Sequence, residues 1–345
     1  MAARCYPISL RDVISLDFSI LAFIMHNMAN IGLVRDITTI GVLPINGFAL
    51  MSYASIVEPF RAANLLSQRP IYNVINFGKD LAHVSSSGAA KVTPDGTIGE
   101  SIALDYLFVV AGGSPETFND GAIFSWLRRL ARQGTLLGGV SGGPVILARA
   151  GLMDGYRMTV HWEHAEALAE VSPNLIIERS LYVIDRGRVT CAGGTAPMDM
   201  AHALIANEHG NLFARRVSDW FLHTDIRPSI GAQRGGMVER IGTTNAAILD
   251  AIKAMESHVA DPLTLGHLAA SAGVSVRQLN RLFQEKLGDS TMGYYRQMRL
   301  EKARGLLRNS PMSLTEIALA TGFASSSHFS KAHSQQYGHA PSSLR

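Results

Sequence analysis

The chain holds 345 residues, 47% of them hydrophobic and 17% charged, which suffices for two domains that each bury a core. Its net charge of +3 is unevenly spread, since residues 246–345 carry eleven Lys and Arg against seven Asp and Glu while the remainder is near balance. Cys5 and Cys191 are the only cysteines and have no metal-ligand spacing, so neither a disulfide framework nor a zinc site is implied, and a reducing cytoplasm is the expected home.

Residues 13–34 (VISLDFSILAFIMHNMANIGLV) are apolar, yet Asp17, His26, Asn27 and Asn30 interrupt them. No charge-free run there reaches the ~18 residues of a membrane helix. Met25 and Met28 stand just before the first strand, so residues 1–35 read as an extension that a misassigned start would explain. ITTIGVL (37–43) is β-rich, and residues 44–66 read as a loop and then a helix. IYNVINF (71–77), LDYLFVVAGG (104–113), TLLGGVS (135–141) and RVTCAGG (188–194) are further buried strands, most ending in Gly, Ser or Pro and leading toward helical segments. That alternation predicts an α/β, flavodoxin-like domain over residues 36–222, with a mainly parallel sheet and a ligand crevice beyond the carboxyl ends of its strands.

The most informative turn is GGVSGGPVILARAGLMDG, where a buried strand enters a glycine-rich corner and then a helix. Gly142 and Gly143 permit a sharp backbone there, which would leave Ser141 exposed beside helix N-terminal amides. Ser141 is then either a small polar wall of a pocket or a serine nucleophile. The second role needs a positioned base, for which His161, Glu163 and His164 are the nearest in sequence. His161, Trp162 and Glu163 offer an aromatic face beside a charge, suited to a quaternary ammonium group, against the plainer reading of Trp162 as core. Cys191 reads as a buried strand residue beside the crevice.

From Met198 to Leu222 the apolar spacing is helical, in segments that would cover the sheet or pair between subunits. Residues 223–245, with Pro228, Gly231, Gly235 and Gly236, break the pattern and read as a linker. In residues 246–345 one pattern occurs twice: Leu265, Leu268, Ala269, Gly273, Val274, Leu279 and Phe283 recur as Leu314, Ile317, Ala318, Gly322, Phe323, Phe329 and His333. Apolar residues at helical spacing around a turn glycine describe an all-α domain with two helix-turn-helix units. Tyr295, Leu300, Ala303, Leu306 and Leu307 form the stripe of a connecting helix that would hold the units about one DNA turn, ~34 Å, apart. Ser275 is placed to cap the second helix of the first unit. Arg277, Gln278, Asn280 and Arg281 then face outward, where Arg suits guanine edges and Asn adenine edges. The second unit turns Ser326, Ser327, His328, Ser330 and Lys331 outward, a set suited to positioning on the phosphate backbone.

TLGHLAASAGVSVRQLNRLFQEKLG, RLEKARGLLRNS and LTEIALATGFASSSHFSKAHSQQYGHAPSSLR resemble the AraC/XylS family of transcription regulators. VVAGGSP, the Ser141 corner, VEPFRAAN and TVHWEH resemble the PfpI-like, class I glutamine amidotransferase-like superfamily, and the two halves together resemble the GlxA-type regulators. That resemblance implies a cytoplasmic activator that binds double-stranded promoter DNA, works with RNA polymerase, pairs as a homodimer and needs no cofactor and no membrane. It further implies control by a small nitrogenous metabolite such as a betaine, carnitine or an amino acid. In catalytic relatives the turn at Gly112 and Gly113 helps hold an oxyanion, and the helix after the first strand, where Glu58 lies, points a carboxylate toward the corner. Glu58 is accordingly a general acid or base, a pocket acid for a cationic ligand, or a solvated helix residue. The chain departs from the enzymes at the corner itself, where they use Cys, often followed by His, and it has Ser141 and Gly142. It departs again at His333, a core position where the family usually has Phe. The expectation is a non-catalytic effector crevice walled by Glu58, Gly113, Ser141, Gly142, His161 and Trp162. The alternatives are a serine-dependent amidase or hydrolase fused to a DNA-binding domain, or a constitutive DNA-binding protein whose α/β domain only dimerises.

Overall fold

The computed structural model describes residues 37–344, so the extension over residues 1–35, with Cys5, lies outside the described residues. In chain order the strands are β1 (Thr38–Pro44), β2 (Tyr72–Gly78), the short β3 (Val84–Ser85), β4 (Lys91–Val92) and β5 (Gly96–Thr97), β6 (Tyr106–Ala111), β7 (Leu136–Ser141), the short β8 (Arg157–Met158) and β9 (Ile176–Ile177), β10 (Tyr182–Asp185) and β11 (Arg188–Cys191). All five runs read as buried strands form. Seven strands make one sheet in the order β10-β11-β7-β6-β1-β2-β5. β6 runs parallel to β1 and to β7, and β11 parallel to β7, while β10 closes one edge antiparallel to β11.

Helices cover both faces, which is why the central strands are apolar throughout rather than alternating with polar residues. They are α1 (Leu50–Ser67), α2 (Gly121–Arg132), α3 (Gly143–Arg149), α4 (Trp162–Val171), α5 (Ala196–His209) and α6 (Asn211–Trp220). On one face Ile40, Val42, Phe108, Val110 and Val140 pack with Phe60 of α1 and Met200, Leu204 and Ile205 of α5. On the other, Leu43, Leu107, Val109 and Leu137 pack with Leu127 of α2, Ile146 of α3 and Leu168 of α4. The helical segments expected from Met198 to Leu222 are two helices, broken at Gly210, whose φ of 85° ordinary side chains avoid.

The C-terminal helices are α7 (Met237–Ile241), α8 (Ala246–Ser257), α9 (Leu265–Ser271), α10 (Val276–Leu287), α11 (Thr291–Asn309), α12 (Leu314–Ala320) and α13 (Ser326–Tyr337). Thr264, Ser275, Ser290, Ser313 and Ser325 each cap the helix that follows, and Ser313 forms a reciprocal capping box with Glu316. Such caps stabilise a helix by about 1 kcal/mol each. α9 and α10 form the first helix-turn-helix, with Leu268, Leu279, Phe283 and Tyr295 buried against Ile252 and Met255 of α8. α12 and α13 form the second, with Ile317, Phe323 and Phe329 buried against Leu300, Ala303 and Leu306 of α11. α11 thus carries one stripe for each unit. Its 19 residues span about 28 Å at ~1.5 Å each.

Residues 223–245 are held at both ends. The Leu181 N–H donates to the Ser229 carbonyl at 2.8 Å, while at the far end Met237 and Ile241 pack against the first helix-turn-helix core.

Candidate functional site

The corner after β7 is built around strain on one residue. Ser141 has φ 61°, the left-handed region, and is 6% exposed rather than open to solvent as its sequence position suggested. Holding a non-glycine residue there costs about 1–2 kcal/mol. The two following glycines are needed for space and not for torsion, which corrects the sequence reading. A Cβ on Gly143 would lie 1.9 Å from the Val109 carbonyl oxygen, and one on Gly142 would lie 2.9 Å from Pro115. Gly193 closes over the corner from the other side, since its Cβ would meet that of Ser141 at 2.6 Å. Gly113 has φ 62° and is exposed, with nothing near the place of a Cβ.

None of the three candidate bases, His161, Glu163 and His164, engages the Ser141 hydroxyl. His161 N–H donates to the Ser141 carbonyl at 3.4 Å, but its ring Nδ1 accepts from Glu163 N–H at 3.3 Å as the cap of α4. Burial holds His161 below the usual imidazole range and brings His164, beside it, to about 4, so both rings are neutral at pH 7. Burial pushes the Cys191 thiol up to about 12, which makes it an inert strand residue. Glu58 is also placed away from the corner: it pairs with Arg61 at 2.6 Å on the exposed side of α1. The same helix presents Ser52 instead, whose hydroxyl accepts the Gly194 N–H at 2.8 Å. Six residues separate Ser52 from Glu58, and at ~100° per residue that turns the carboxylate about 240° round the helix.

Beside the corner lies a crevice of ≈ 190 Å³ lined by His161, Trp162, Leu181, Ala192–Ala196, Arg227 and Gln233. It gathers the N-terminal ends of α4 and α5, which favour negative charge. Part of its wall is the segment read as a linker. Asp199, fully buried on α5, accepts from Arg227 N at 2.9 Å, Nε at 2.9 Å and Nη2 at 2.6 Å, and faces His223 Nε2 at 2.7 Å. Gln233 Nε2 donates to the Ser180 carbonyl at 2.8 Å and to Thr159 Oγ1 at 3.0 Å. The Arg234 guanidinium lies 4.5 Å from the Trp162 ring centroid. Trp162 is 39% exposed, so it is a surface face and not core. Sequence reading missed these strap residues because they sit among turn formers. The one signal was Asp199 on the apolar face of a helix, a carboxylate that burial forces to find a cation.

On the helical half, Arg277, Gln278 and Arg281 of α10 are exposed, with Arg281 3.8 Å from Glu285 one turn on. Asn280 is not free to read a base with both amide atoms, because its Oδ1 accepts the Thr291 N–H at 3.2 Å. That engagement corrects its assignment to the open face. On α13, Ser327, His328 and Lys331 are exposed, and Ser326 and Ser330 are half-buried. His328 rests its ring against Phe323, 5.6 Å between centroids. Among the described residues no helix is long and apolar enough to cross a membrane, and no cluster of His, Cys, Asp and Glu could hold a metal ion.

The DJ-1/PfpI family matches residues 43–207, and a helix-turn-helix domain family matches residues 268–345. The chain is 45% identical to the HTH-type transcriptional regulator GlxA of Rhizobium meliloti, over 90% of this chain and 96% of that one. It is 40% identical to the HTH-type transcriptional regulator CdhR of Pseudomonas aeruginosa, over 88% of this chain and 90% of that one. Among solved structures it is similar to a ThiJ/PfpI family protein from Pseudomonas syringae, with a TM-score of 0.49 and 23% identity over 71% of this chain and 95% of that one.

Proposed function

Because the chain belongs to the AraC-type DNA-binding transcription regulators that carry a DJ-1/PfpI domain, we propose that it is an activator switched by a small nitrogenous metabolite. The metabolite binds without turnover in the crevice beside Ser141, and the helical half engages promoter DNA as a homodimer that works with RNA polymerase in the cytoplasm. The observation that carries this reading is the stacking of Arg234 on Trp162. An aromatic face at the crevice already holds a cation, and that cation belongs to the segment joining sensor to reader. A betaine, carnitine or amino acid presents the same kind of charge to Trp162 and a carboxylate to the helix N-termini and Arg227. Occupancy then releases Arg234, and the strap that held it, from the sensor. Sensing and transmission use one set of contacts.

Calorimetric titration with glycine betaine, carnitine and arginine tests the reading. One of these zwitterions should bind, Trp162→Ala should weaken it at least tenfold, and Arg234→Ala should tighten it by removing the internal competitor. Unchanged affinity in both variants would move the effector elsewhere. The strained corner favours a second reading, a serine hydrolase. It would be established by mass spectrometry if the wild type consumed the ligand and Ser141→Ala did not.

A further inference from the structure

A second cavity, of ≈ 210 Å³, lies where α3 and α4 of the sensor meet the end of α11. Its floor is Val145, Ala148 and Arg149 of α3, one wall is His164, Leu168 and Val171 of α4, and Asn309 and Pro311 of the reader close it. Two polar groups on its surface lack a well-formed hydrogen bond. Both carboxylate oxygens of Glu116 are buried without a donor at hydrogen-bond geometry, and the same is true of Nδ1 of His164, a residue only 5% exposed. Burial raises the Glu116 carboxyl above its usual range, a rise that Ser114 and Arg149 only partly offset. Leaving such groups unpaired is costly, and two facing one cavity give it the polar anchors that a bound cation needs.

We propose that this cavity binds a second small molecule, bearing a guanidinium or primary ammonium group on a short aliphatic chain. The cation donates to Glu116 and to the free nitrogen of His164, and the chain lies against Val145, Ala148, Leu168 and Pro311. The size is adequate, since an engineered cavity of ~150 Å³ accepts benzene. The site is distinct from the crevice beside Ser141 but touches it through one helical turn: His164 faces this cavity, His161 faces the crevice, and their ring centroids are 6.0 Å apart. It also contacts the reader. α4 lies on α11, with Ala167 packed into the second helix-turn-helix core, Lys302 3.8 Å from Glu166, and Asn309 Nδ2 donating to the Glu163 carbonyl at 3.4 Å. A ligand here therefore fixes the sensor against the connecting helix.

The test is titration of the full chain with n-butylguanidinium, with butyrate as the control probe. The guanidinium should bind and butyrate should not. Glu116→Gln should lower the affinity at least tenfold, Ala148→Phe should abolish binding by filling the cavity, and Trp162→Ala should leave it unchanged. Glu116→Leu should lose binding yet raise the melting temperature of the ligand-free chain, because it removes carboxylate oxygens that are buried without a well-formed hydrogen bond. Should Ala148→Phe fail to fold, Glu116→Gln decides. The proposal is overturned if the wild type does not bind the probe, if Glu116→Gln binds it as well as wild type, or if Trp162→Ala removes binding, which would place the probe in the first crevice.

Discussion

The two helix-turn-helix units share one pattern but differ at equivalent positions. In the first, Phe283 fills the core, Gly273 turns at φ 65° with open space around it, and the exposed face of α10 carries Arg277, Gln278 and Arg281. In the second, His333 takes the core position, and Gly322 turns at φ 71° with Pro262 and the Val259 carbonyl each 2.5 Å from the place of a Cβ. Its outward face carries serines, His328 and one lysine. Arg299 ties the connecting helix α11 to the second unit, its Nη1 donating to the Gly322 carbonyl at 3.2 Å and its guanidinium 4.4 Å from the Phe323 ring centroid. A repeated fold is thus divided in labour. The first unit exposes the arginines, whose forks suit base edges, and the second unit's turn is the seam against which the first is set.

The largest expected difference is at the two turn glycines. Gly273→Ala should cost only the left-handed backbone, about 1–2 kcal/mol, whereas Gly322→Ala must also displace Pro262 or the Val259 backbone and should cost at least twice as much. Thermal melts of the two variants check this, and equal losses would break the distinction between a free turn and a seam. Next in size is base discrimination. Losing Arg277 or Arg281 to Ala should cost about 1–3 kcal/mol for whichever makes a bidentate base contact, and should relax preference at that base pair. Lys331→Ala should weaken binding to all sequences alike and flatten the salt dependence. Gel shifts on randomised sites at two salt concentrations separate these outcomes, and full specificity in both arginine variants would remove the first unit's assigned role.

The smallest effect concerns His333. Its Nδ1 lies 3.1 Å from the His339 carbonyl, Nε2 has no partner, and burial lowers its proton affinity. The folded state therefore favours the neutral ring. Its stability is complete above the unfolded value near ~6.5 and declines as pH falls from there toward the lower folded value, because the unfolded chain takes up the proton first. His333→Phe should raise stability by up to ~1 kcal/mol at pH 7 and more at pH 5.5, so the variant and wild type should diverge on acidification. In the sensor, His164, brought to about 4, has the same sign over a window from ~6.5 down to about 4. Melting curves at both pH values read this directly.

Much of this architecture is legible in residue patterns. Glycine-terminated apolar runs foretold every central strand, and the repeated spacing foretold both helix-turn-helix units and the connecting stripe of Tyr295 to Leu307. β10 escaped because four residues at a sheet edge give too little alternation to stand out. Glu58 was assigned to the crevice and Ser52 overlooked because helical phase at the corner cannot be counted until the helix start is known. A start shifted by one residue rotates every side chain by ~100°.

The sequence by itself carried the family resemblance in its motifs, and its periodicity and turn glycines determined the fold class, the central strands and the place of the corner. Only the tertiary structure decided which groups line the two cavities. Arg227, held by Asp199, and Gln233 meet the crevice from a segment read as mere linker, Arg234 of that segment lies on Trp162, and Glu116 and Asn309 share a cavity across the two halves. Such contacts have no period and no spacing rule. They arise from burial, which requires a carboxylate such as Asp199 to find a cation wherever the packed chain supplies one.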